Sequence, residues 1–196
     1  MKTFAFIFGI AFAALTFAPT RAQTTTAATN SAINAVTVAK DGVESSLRDR
    51  IVSVYGVGTP AAIQTWWVIF YDPAVPSHGR AVKVDNGQIV RTYEAKGGVV
   101  YLDALTFPPS QVTGEGPALA ATQNYAAQHA LAYDHVRALL RMTTTGQGLC
   151  WRVQLLNGTV NQGFVFVNSS DGAFALYAPP GSVHAKSGSG TGGVAG

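Results

Sequence analysis

The stretch Trp66-Trp67-Val68-Ile69-Phe70-Tyr71-Asp72, followed by Gly79-Arg80-Ala81-Val82-Lys83-Val84-Asp85-Asn86-Gly87-Gln88-Ile89-Val90, decides the reading of the chain. Its residues are β-branched or aromatic, which suits a pleated, half-buried surface. Asp85-Asn86-Gly87 supplies the positive-φ residues of a tight hairpin turn. The stretch therefore reads as a strand, a Pro-containing loop, and a two-stranded hairpin over 80–84 and 88–93. A looser copy follows at Cys150-Trp151-Arg152-Val153-Gln154-Leu155 and Gly163-Phe164-Val165-Phe166-Val167, turning at Ser170-Asp171-Gly172. The offset between copies is 84 for Trp67/Trp151 and Gly79/Gly163, and 85 for Gly87/Gly172.

Each copy is preceded by a helical pattern. Val36, Ala39, Val43 and Leu47 recur at three- and four-residue spacing, which predicts a helix over 34–47. Pro117 suits a first helical turn and opens a second helix over 118–131. Strands are expected at 51–55 and within 133–143; in the latter Val136, Leu139 and Leu140 also fit helical spacing, and the match of Val52 with Val136 at the 84-residue offset favours the strand over the helix. An extended segment is expected within 97–105. The predicted class is α+β: two tandem repeats, each one helix packed on an antiparallel sheet of about four strands, with one continuous curved sheet as an alternative arrangement.

The ends have a different character. After Met1-Lys2, Phe4 to Phe17 is apolar, and Pro19-Thr20-Arg21-Ala22 offers a small-residue cleavage site. That is the pattern of a secretory signal peptide, and the run is short of the ~20 residues of a spanning helix. Cleavage is expected after Ala22, with Ala28 as the alternative, leaving no stable membrane anchor. The expected organisation is a signal peptide at 1–22, a disordered linker at 23–34, repeats at 35–105 and 117–178 joined by a connector at 106–116, and a Gly/Ser tail at 179–196. Of 13 Lys+Arg and 10 Asp+Glu, the leader holds Lys2 and Arg21, so the mature chain is nearly neutral. A nucleic-acid partner is not expected. Cys150 is the single cysteine, so no internal disulfide supports the fold. A bacterial periplasm or the extracellular space is the expected compartment.

The helix followed by Trp-x-Val/Ile-x-aromatic, and then by Val-Asp-Asn-Gly-Gln-Ile or Val-Asn-Ser-Ser-Asp-Gly-Ala-Phe, resembles PepSY-type domains. The tandem arrangement over 35–178 is similar to bacterial PepSY-like and β-lactamase-inhibitory proteins. The resemblance implies an exported, non-enzymatic, cystatin-like module that binds proteins or acts as an intramolecular inhibitor.

Chemistry-bearing residues give little else. His78, His129, His135 and His184 lack the partners that a metal site or catalytic triad needs. Cys150 reads as a structural thiol. Asp72, Asp85, Asp103, Asp134 and Asp171 sit at strand ends and turns, where Asp bonds locally. Asp85-Asn86-Gly87 lacks the rest of a calcium loop, and Gly56 to Pro60 lacks the lysine of a phosphate loop. Catalytic residues, a metal and a cofactor are therefore not expected. Strand alternation places Trp67, Ile69 and Tyr71 with Trp151 on a shared core face, and Trp66, Val68 and Phe70 on the other face, with Arg152 in the second copy. Trp66, Phe70 and Arg152 are accordingly the expected partner-binding residues. A small-ligand carrier or an enzyme with a pocket around His129, His135 and Asp134, and a structural envelope protein, are the alternatives. N-terminal sequencing of the exported protein should begin at Gln23; an intact Met1 in the exported fraction would remove the leader reading.

Overall fold

The computed structural model describes residues 30–95, 101–143 and 148–182. The expected signal peptide, most of the expected linker and most of the expected tail lie outside these residues. Helices α1 (Ala32–Ala39) and α2 (Gly116–Gln128) each precede four strands: β1 (Ile51–Gly58), β2 (Ile63–Tyr71), β3 (Gly79–Asp85) and β4 (Gln88–Glu94), then β5 (His135–Met142), β6 (Leu149–Asn157), β7 (Val160–Asn168) and β8 (Phe174–Ala178). They form one eight-stranded sheet in the order β4-β3-β2-β1-β5-β6-β7-β8, every neighbouring pair antiparallel.

This corrects the expected pair of four-stranded sheets. β1 and β5 pair with each other along Ser53↔Arg141 to Gly58↔Val136, so neither is an edge. Val54, Val136, Ala138 and Leu140 on these strands are fully buried. Left as edges of separate sheets, two such apolar strands would be open templates for aggregation, and pairing them removes both edges. The first helix is also shorter than its periodicity predicts. It ends at Ala39 and gives way to 3₁₀ turns at Lys40–Gly42 and Ser45–Leu47, consistent with the low helix propensity of Gly42. Within the segment expected to be extended, 96–100 lies outside the described residues and Asp103–Leu105 is a 3₁₀ turn.

Both helices cover the same face of the sheet, and the core lies between. Trp66, Val68, Phe70, Val82, Val84, Leu140, Trp151, Val153, Leu155, Val165 and Val167 pack there with Ala35, Val36 and Ala39 of α1 and Ala118, Leu119 and Ala126 of α2. Trp66 is 1% exposed and Phe70 0%. The expected face assignment is therefore inverted: Trp66 is the core residue, and Trp67 points to the helix-free side. The counterpart of Trp151 is Trp66, at an offset of 85, which Val68/Val153 and Val82/Val167 share. The 84-residue match of Gly79 with Gly163 misleads because the two glycines serve opposite faces. A Cβ on Gly79 would strike the Tyr101 ring on the helix-free side, whereas one on Gly163 would sit 2.5 Å from the Tyr177 hydroxyl on the helix side. A one-residue slip in alignment moves every side chain of a strand to the other face.

The two core tryptophans meet edge to face, with ring centroids 6.3 Å apart. Cross-strand partners Gly56 and Ala138 leave room for them beside Trp66; a Cβ on Gly56 would lie 2.5 Å from the Trp66 ring. Each indole N–H also anchors the segment leading into a helix. Trp66 Nε1 donates to the Asn30 carbonyl at 2.6 Å, just before the Ser31 cap of α1. Trp151 Nε1 donates to the Thr113 hydroxyl at 3.1 Å, just before α2. Trp66→Ala should destabilise the fold by about 3–5 kcal/mol, the usual cost of emptying a buried aromatic site. Gly56→Ala should also destabilise it measurably in urea unfolding, and a Gly56→Ala midpoint at or above wild type would contradict this packing.

Candidate functional site

The helix-free face is built by the alternate residues of the same strands. Directly opposed residues form one row across all eight: Arg91, Lys83, Trp67, Tyr55, Leu139, Arg152, Phe166 and Leu176. Arg137 and Arg141 on β5 flank Arg152 diagonally, since Arg137 opposes Gln154 and Arg141 opposes Cys150. The face thus carries five cations, Lys83, Arg91, Arg137, Arg141 and Arg152. Among the described residues Asp85 is its carboxylate, bonded to Thr65 at the far end of β3.

Three of these cations lie against aromatic rings. Lys83 Nζ sits 5.4 Å from the Trp67 ring centroid, the Arg91 guanidinium 5.1 Å from that of Tyr93, and the Arg152 guanidinium 5.1 Å from that of Phe164. Tyr55 and Trp67 pack at 5.4 Å. Contacts of this kind lower the cost of partly dehydrating a cation. The exposure is graded: Arg91 and Arg137 are exposed, Trp67, Lys83 and Tyr55 half-buried, and Arg152 only 5% exposed. At one end Tyr101 closes over Ile69 and Ala81.

Arg152 is the unusual member. Its Nη1 is buried with no hydrogen-bond partner. Burial, and secondarily the neighbouring Arg141, pull its pKa from the ordinary guanidinium range down to about 10. Burial also raises the Tyr55 hydroxyl, opposed by Arg137 and Arg152. It likewise raises the Cys150 thiol despite Arg141 and Arg152 nearby, so Cys150 is a protonated thiol and a poor nucleophile.

The other expected site residues separate. Trp66 and Phe70 are core and are removed from the binding surface, because α1 and Trp151 cover them; Arg152 does lie on the helix-free face. Asp72 holds Arg80 at 2.9 and 2.7 Å as a structural pair. Asp134 accepts from His135 at 2.8 Å and from the Gly158 amide, both side chains more than half exposed; the His135 bond is the main reason that its pKa is lowered. His129 stacks on Tyr125 at the surface, so these groups converge on no closed pocket. Among the described residues no group of three or more His, Cys, Asp or Glu converges as metal ligands. A cavity of about 270 Å³ lies on the helix side, lined by Val43, Glu44, Leu47, Asp72 and Arg80 among others, with both polar ends of its Asp72–Arg80 pair already satisfied. Sequence reasoning missed Trp67, Lys83 and Arg137, and the signal that would have found them is the 85-residue offset carried by Gly87/Gly172.

Comparison of the chain with protein-family models, curated proteins and solved structures gives no match in any of the three.

A charge buried without a partner is a cost. Because the folded pKa of Arg152 is depressed, the fold disfavours its charged form. The cost is fully present below pH 10 and shrinks only as pH rises through that value. The fall from the ordinary guanidinium range to about 10 corresponds to on the order of 3 kcal/mol at pH 7. Arg152→Met should therefore stabilise the protein by about 1–3 kcal/mol in chemical unfolding at neutral pH; a loss of stability would mean that the guanidinium is satisfied within the fold.

Proposed function

We propose that this protein is an exported, non-enzymatic binding module that engages a protein partner on the helix-free face of its sheet. The observation that carries the proposal is the row from Arg91 through Trp67 and Tyr55 to Arg152 and Leu176, an aromatic and cationic surface that neither helix covers. Trp, Tyr and Arg are the side chains most enriched where binding energy concentrates.

The dimensions suit a macromolecular partner. Eight strands at ~4.8 Å spacing and ~25–30 Å length give a face of roughly 1,000 Å². That matches the ~800 Å² each partner contributes to a standard interface. The side chains of this face, rings and cations held against them, are those of recognition. The PepSY-like resemblance, with its implied protein-binding or inhibitory role, supports the same reading, and the leader-like 1–22 stretch supports export.

Affinity capture from the exported fraction tests it. Wild type and an Ile33→Ser variant, altered at an exposed site on α1, should retain one stoichiometric polypeptide. Trp67→Ala with Lys83→Glu should lose it at least tenfold while melting within a few degrees of wild type. Equal retention by the face variant, or loss with Ile33→Ser alone, would move the binding surface elsewhere.

A further inference from the structure

The unpartnered guanidinium of Arg152 points to a specific feature of the partner. We propose that Arg152, flanked by Arg137 and Arg141, forms a carboxylate-binding site in the centre of the helix-free face, taking an Asp or Glu side chain from an acidic segment of the bound protein. The proposal rests on the binding face described above and names the chemistry of what that face holds.

Four observations converge on one place. Arg152 is 95% buried by its 5% exposure, and its Nη1 has no hydrogen-bond partner. Its guanidinium is fixed against the Phe164 ring, which orients its planar edge, and a guanidinium edge matches a carboxylate with two parallel hydrogen bonds. The groups that act on it electrostatically are Arg141, Tyr55 and Cys150, with no carboxylate among them. On β5, Arg137 and Arg141 lie on either side of the same cross-strand position. These three cations lie together on the face, and an anion bound to Arg152 would offset their mutual repulsion. Arg137 is exposed and offers a second cation beside the buried one, and Tyr55 is among the groups that act on Arg152 electrostatically.

The surroundings favour a polypeptide over a polyanion. Only Arg91 and Arg137 of the five cations are exposed, and without Lys2 and Arg21 of the expected leader the chain has 11 Lys+Arg against 10 Asp+Glu. Nucleic-acid binding draws on broad, exposed basic surface. Here the row beside Arg152 is Leu139, Tyr55 and Trp67 on one side and Phe166 and Leu176 on the other. That is one buried charge between apolar contacts, as in a hot spot that a single acidic side chain fills.

The experiment is calorimetric titration of the full chain with a short peptide that carries one Glu between apolar residues, beside its Gln counterpart, sodium acetate, inorganic phosphate and a single-stranded oligonucleotide. The Glu peptide should bind wild type at least tenfold more tightly than the Gln peptide, with acetate competing weakly. Arg152→Met, which should fold at least as stably as wild type, should erase the Glu/Gln difference, and Arg137→Ala should reduce it. An unchanged Glu/Gln ratio in Arg152→Met, no Glu/Gln preference in wild type, or tighter binding of phosphate or oligonucleotide than of the Glu peptide would overturn the carboxylate site. If the partner captured by wild type is also retained by Arg152→Met, the binding face stands and only the carboxylate site fails. If the Trp67→Ala, Lys83→Glu variant retains that partner as well, the face itself fails.

Discussion

The contact between Trp66 and Trp151 is the constraint on which the rest of the structure depends. The two indoles come from the two halves of the chain and meet edge to face above Gly56 and Ala138. Only small residues at those positions leave room, and those positions lie on β1 and β5, the strands that join the halves. The same two side chains hold Asn30 and Thr113 by their indole N–H groups, so they also place the entry to each helix. One pair of residues thus ties together the sheet centre, both helices and the common core.

The geometry of the other face follows from that choice. Strand alternation sends the neighbours of the core tryptophans, Trp67 and Arg152, to the helix-free side. Once Trp66 and Trp151 are core, Trp67 and Arg152 must share a row with Tyr55 and Leu139 between them. Lys83, Arg91 and Arg152 on this side lie against rings. The cost in stability is concentrated at Arg152, whose Nη1 is buried with no hydrogen-bond partner. A surface that keeps such a cost within an otherwise well-packed sheet has the character of a recognition surface.

Much of the local structure was legible in the sequence. Asn86 and Gly87 adopt positive φ in the β3–β4 turn, as Asp-Asn-Gly predicts, and the ambiguous segment 135–142 is a strand. Gly158 has φ of 56° in the turn that follows β6, and β7 therefore begins at Val160, earlier than the sequence copy at Gly163. The faces were not legible, for a physical reason. Trp66 and Trp67 are equally apolar, so composition cannot say which one is buried, and a period of two makes the answer depend on a one-residue alignment. Gly79 and Gly163 offered a persuasive but false anchor, since each glycine is demanded by a different tyrosine on a different face. The β1–β5 pairing was equally hidden, because nothing local in either strand names its partner.

Native-state hydrogen exchange on the full chain tests the central claim, that one core closes a single sheet at β1 and β5. The amides of Val54 to Val57 on β1 and of Ala138 to Leu140 on β5 that bond across the pair should exchange only through global unfolding, with protection equal to that of central β2 and β6 and well above that of the edge strands β4 and β8. Protection of β1 and β5 no greater than that of the edge strands, or two separate unfolding transitions for 30–95 and 117–178, would contradict the account.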